Sequence, residues 1–114
     1  MTQHAELSAE RWGRFSLGQQ ILQIAVELER GTSSLRADRR ESLRLGYERV
    51  LRLVDLSVEV NARHSLRREL LRWRGVIADL YLGDSPDPAA HREALEVLLQ
   101  LHPEAAAQLP DLGP

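Results

Sequence analysis

Positions 43–60 carry ten large apolar side chains in eighteen residues, more than one face of a helix can hold. Spaced at about 100° per residue, they fall into two stripes. Leu43, Tyr47, Val50, Leu51, Val54 and Val58 form the first; Leu45, Leu53, Leu56 and Val60 form the second. Glu41, Arg44, Glu48, Arg52, Asp55 and Glu59 are left as the solvated face. A helix apolar around most of its circumference must be covered from two sides. In a short chain that means a central bundle helix, a subunit interface, or both.

The chain has 114 residues, enough for one domain with a single core. Its 43% hydrophobic and 28% charged content is that of a globular protein and excludes a disordered one. Two Trp, two Tyr and one Phe leave the core to Leu, Val, Ile and Ala. The net charge of −2 gives no general attraction for nucleic acid or anionic membrane. All fifteen basic residues are arginine, which suits bidentate carboxylate or phosphate partners and equally matches the codon usage of a GC-rich genome. Without cysteine there is no disulfide, thiol nucleophile or thiolate metal site. The opening MTQHAELSAERW lacks a basic-then-apolar leader. No apolar run approaches the ~18 residues of a membrane span, so the expected location is cytoplasmic.

The punctuation predicts an antiparallel four-helix up-down bundle, all-α, with helices at about 16–30, 35–61, 65–82 and 88–101. Residues 1–11 and 103–114 are expected to be loosely ordered, with at most one turn begun by Ser8. Ser16 and Gln19 have the spacing of a capping box, and Gly31 is placed to end that helix in a left-handed conformation. Thr32-Ser33-Ser34 reads as the loop. Ser34 or Asp38 would start the second helix, and Ser65 would cap the third. Asp84-Ser85-Pro86-Asp87-Pro88 breaks the chain before Asp87 caps the fourth, with Pro88 at its first position. A solenoid of TPR type, prompted by Gly46-Tyr47 and Pro103, needs self-similar units of about 34 residues. No second copy is present.

Each helix also has a second apolar patch: Leu22 and Val26, the Leu45–Leu53–Leu56–Val60 face, Leu71, Ala78 and Leu82, and Leu95 and Leu99. Four such patches predict a homo-oligomer, most simply a twofold dimer. Leu53 and Leu56 are its expected centre, with Leu22, Val26, Leu45 and Val60 around them. Arg49 lies on that same face and needs a partner. A hairpin of helices two and three, in which level residue numbers sum to roughly 126, puts it near Asp79. An Arg49–Asp79 ion pair, within one hairpin or across a subunit contact, is therefore expected as a structural device.

Catalytic signals are weak. His4, His64, His91 and His102 lie far apart, with no metal-ligand spacing and no Glu-x-x-His. Glu93-x-x-Glu96 and Asp55-x-x-x-Glu59 each pair carboxylates on a helix face. The all-α nucleotide pyrophosphohydrolases, however, use two such motifs to hold magnesium. One Glu-x-x-Glu reads as a solvated face. No phosphate loop or nucleophile elbow is present. Arg63, Arg67, Arg68, Arg72 and Arg74 could touch phosphate, but without aromatics between them or net positive charge they read as a solvated rim.

Three stretches resemble a family of small uncharacterised bacterial all-α proteins, over about residues 12–83. They are Trp12-x-x-Phe15-Ser16-Leu17-x-x-Gln20 continuing to Ile24, Glu27 and Arg30; Glu48-Arg49-x-Leu51-x-Leu53-x-Asp55-Leu56; and Glu69-Leu70-x-Arg72-x-Arg74-x-Val76-x-x-Asp79, closing at Gly83. The resemblance implies a helical cytosolic protein and brings no activity. It does not cover the fourth helix, and the chain departs from it in the first interhelical loop. The expectation is a non-enzymatic, self-associating helical bundle that serves as a protein-interaction or scaffold module, with no cofactor, metal or membrane. The alternative is an accessory nucleic-acid binder using the arginines of helix three.

Overall fold

The computed structural model describes residues 7–102. Among these, all regular structure is helical: α1 (Ala9–Trp12), α2 (Leu17–Arg36), α3 (Arg40–Val60), α4 (His64–Leu82) and α5 (Pro88–Gln100). The expectations for residues 1–6 and 103–114 lie outside the described residues. The one turn expected to begin at Ser8 is present as α1, which Ser8 caps by accepting from the Arg11 amide at 3.2 Å.

Two helix starts follow their local chemistry. The Ser16 hydroxyl accepts from the Gln19 amide at 3.1 Å, and Gln19 Oε1 accepts from the Ser16 amide at 2.9 Å, a complete capping box. Asp87 accepts from the Ala90 amide at 3.0 Å, with Pro88 first in α5. Neither Ser34, Asp38 nor Ser65 caps a helix; Arg39 and Arg63 hold the N-cap positions of α3 and α4 without a side-chain bond.

The first interhelical turn lies six residues later than expected. Gly31 stays helical and buried, and Asp38 takes the left-handed conformation at φ 52°. The Asp38 amide bonds Leu35 O at 3.3 Å and the Arg39 amide bonds Ser34 O at 2.9 Å, which together make a Schellman cap. Gly31 serves packing instead. A Cβ there would lie 2.8 Å from His91 Cε1 and 3.3 Å from Leu43 Cδ1, so the glycine makes room for the imidazole of α5.

α2 packs on α3, α3 on α4, α4 on α5, and α5 back on α2. The core gathers Ile21, Ile24 and Leu28 from α2, Val50, Leu53 and Val54 from α3, Leu70, Trp73 and Ile77 from α4, and Leu98 from α5. The two-sided character of α3 is resolved within the chain. α4 covers one side, where Arg44 reaches Tyr81 and Asp55 reaches Arg74, the register expected of that hairpin. α1 covers part of the other. Trp12, 2% exposed, donates from Nε1 to Ser57 Oγ at 2.8 Å, and Val60 packs beside Gly13. Gln20 then ties this segment down, donating to Phe15 O at 3.0 Å and accepting from Asn61 Nδ2 at 2.9 Å.

Candidate interaction surface

The expected interface centre is interior. Leu53 and Leu56 are 1% and 3% exposed, buried by α1 and the neighbouring helices of their own chain, so they offer no surface to a second subunit. Leu22 and Val60 are half-buried against the core, Val26 is half-buried, and Leu45 is exposed. On α5 the buried face centres on His91, Ala94, Leu95 and Leu98, which leaves Val97 exposed.

Within the chain Arg49 does not meet Asp79. Its Nε donates to Glu27 Oε2 at 3.0 Å, and Glu27, a buried carboxylate, also holds Arg30 Nη1 at 3.1 Å. The helix levels were read correctly and the side of α3 was not. The face bearing Arg49 turns toward α2, whereas α4 packs on the edge bearing Arg44 and Asp55. Asp79 stands exposed on α4.

The buried polar residues Gln20, Glu27, Ser57 and His91 are engaged in the fold. His91, 1% exposed, has Nε2 2.9 Å from Leu28 O and Nδ1 2.7 Å from Tyr47 Oη. A carbonyl can only accept, so Nε2 carries the proton and Nδ1 accepts from the tyrosine. The Thr32 hydroxyl lies 3.3 Å from Nε2. Burial lowers the His91 pKa from its usual value, partly offset by the Leu28 bond. Burial, with Asp87 nearby, pushes Tyr47 up to about 12. Both groups are therefore neutral at physiological pH. Sequence reasoning passed over His91 as one of four scattered histidines. The available signal was its place at i−3 and i−4 to Ala94 and Leu95, on the buried stripe.

Of the other histidines, His64 is exposed at the start of α4, His102 packs over Gly18, and His4 lies outside the described residues. Glu93 and Glu96 are exposed on α5, and Asp55 is occupied by Arg74 at 2.6 and 3.3 Å. Among the described residues no three His, Asp or Glu side chains gather as metal ligands. The arginine rim is divided: Arg74 is bound to Asp55 and Arg72 to Glu69 at 3.5 Å, while Arg63, Arg67 and Arg68 are exposed. Among the described residues no helix is long and apolar enough to cross a membrane.

The outer face of α4 is different. Leu71 and Leu82 are 51% and 74% exposed, with exposed Gly75 and half-buried Ala78 between them. These four share one side of the helix, opposite the buried Leu66, Leu70, Trp73 and Ile77. Of the second apolar patches read from the sequence, this one retains two fully open leucines. Among the described residues Gly75 has no packing reason, since a Cβ there would meet none of them within 4 Å.

Family models, curated proteins and solved structures give no match to this chain. Trp12, Gln20, Glu27, Arg49, Asp55 and Arg74 each hold one segment to another.

Proposed function

We propose that the chain is a non-enzymatic helical module, an antiparallel four-helix up-down bundle braced by α1, that works by self-association and by presenting a docking face to another protein. A cytoplasmic location belongs to the same proposal and is tested by cell fractionation. The observation that carries the reading is the outer face of α4. Leucines at positions 71 and 82 are exposed at helical spacing, where a surface helix otherwise turns polar residues to water. The internal polar clusters support it, because His91, Tyr47, Gln20 and Ser57 are bonded within the core. They stiffen a scaffold and leave recognition to the surface. Multi-angle light scattering over a concentration series tests it. A mass rising from 12.9 kDa toward twice that value is expected. A constant monomer mass up to several hundred micromolar would overturn self-association.

A further inference from the structure

We infer that the occupant of the α4 face is a second copy of this chain, its α4 docked antiparallel about a two-fold axis, with Arg72 of each copy against Asp79 of the other. The inference rests on the self-association reading and deepens it by naming the surface, the partner and the register.

Leu71, Gly75, Ala78 and Leu82 are spaced four, three and four apart, the alternation of a helix-pairing seam. Small residues at its middle allow two backbones to approach, and leucines at its ends close the contact. Gly75 is the informative position. A glycine inside a helix costs about 1 kcal/mol relative to alanine, and packing among the described residues does not need it. An approaching second backbone does.

The charges beside the seam decide partner and direction. Arg72 and Asp79 follow Leu71 and Ala78, so they lie on the same edge, and both are exposed. They are seven residues apart, about 10 Å along the axis, too far to pair within the helix. In an antiparallel pair with level numbers summing to about 153, Leu71 meets the second copy's Leu82 and Gly75 meets its Ala78. Arg72 then faces the second copy's Asp79, and the two-fold makes this contact twice. A parallel pair would bring Arg67 of one copy toward Arg72 of the other, like against like. On the opposite edge Arg74 is held by Asp55 of its own chain at 2.6 Å, whereas Arg72 has only an exposed contact of 3.5 Å with Glu69, which the second copy's Asp79 would replace. The Arg72–Asp79 edge is self-complementary in the antiparallel sense. One helix pair of this length is smaller than a standard interface of about 1,600 Å², so the dimer is a weak, concentration-dependent one.

Sedimentation equilibrium on the full chain and four variants tests the inference. Gly75→Gln fills the seam from a position where an added Cβ meets none of the described residues within 4 Å. It should leave the circular dichroism and melting of the monomer unimpaired while abolishing the dimer. Arg72→Asp and Asp79→Arg should each weaken association by roughly tenfold or more, since like charges then face one another twice. The double variant R72D/D79R should recover wild-type association. Mixing the two single variants should also recover it, because each copy then supplies the charge that the other lacks. A dimer that survives Gly75→Gln, or a mixture no more associated than its components, would overturn this surface and register while leaving self-association intact. A wild-type chain that stays monomeric would overturn both.

Discussion

Gly31 and Gly75 both lie inside α2 and α4, yet replacing each by alanine should have opposite effects on stability. The common term is helix propensity: glycine to alanine is worth about 1 kcal/mol in a helix interior. At Gly75 nothing opposes it, because the new Cβ has no neighbour within 4 Å. The monomer should gain about 0.5–1 kcal/mol there, or roughly 4 °C in Tm for a domain of this size. At Gly31 the Cβ lands 2.8 Å from His91 Cε1 and 3.3 Å from Leu43 Cδ1. Leu43 can give by a few tenths of an ångström. The imidazole cannot move cheaply, because Leu28 O at 2.9 Å and Tyr47 Oη at 2.7 Å hold its two nitrogens. Overpacking costs about 1–3 kcal/mol, and a buried hydrogen bond lost in the shift adds about 1 kcal/mol or more. The net for Gly31→Ala is a loss of about 1–3 kcal/mol. Urea unfolding followed by circular dichroism, at low micromolar concentration where the chain is monomeric, measures both. A Gly31→Ala protein as stable as wild type would refute the packing role, and with it the explanation for why the helix runs through that glycine.

Stability should depend on His91 below neutrality. Its folded pKa is lowered, so the unfolded chain takes up a proton near pH 6.5 that the folded chain refuses. The stability is present above about pH 6.5 and falls by up to about 1.4 kcal/mol per pH unit as the pH drops toward the lowered value; the slope should shrink in His91→Gln, and an unchanged slope would exclude His91. A double-mutant cycle of Arg49→Met with Glu27→Gln should show coupling of about 1–3 kcal/mol, and one of Arg49→Met with Asp79→Leu should be additive within about 0.5 kcal/mol. The reverse result would restore the partner expected from sequence. Asp38→Gly should stabilise the turn after α2 by about 0.5–1 kcal/mol, because the left-handed C′ position costs a residue with a Cβ more than glycine. A measured loss would mean that the Asp38 side chain supports the turn.

The sequence by itself determined the helices and their buried stripes. The Ser16–Gln19 box and the Asp87–Pro88 start depend on atoms within four residues of one another, so their spacing is their geometry. The stripes Leu43–Tyr47–Val50–Val54 and Leu66–Leu70–Trp73–Ile77 are buried as their 3.6-residue period requires. Tertiary structure decided everything that depends on which neighbour stands beside a given face. Gly31 resembled a terminator because glycine is favoured there for its backbone freedom; it is interior because a histidine sixty residues away needs the space of its missing Cβ. Arg49 was placed at the right level and paired with the wrong helix, since period and register fix height along a bundle but not which helix flanks which edge. Leu53 and Leu56 have the pattern of an interface, and so does any helix covered by its own chain, here by α1. Leu71 and Leu82 have that pattern too. Hydrophobicity specifies that a surface must leave water without specifying what covers it, so only packing could separate the faces already covered from those still open.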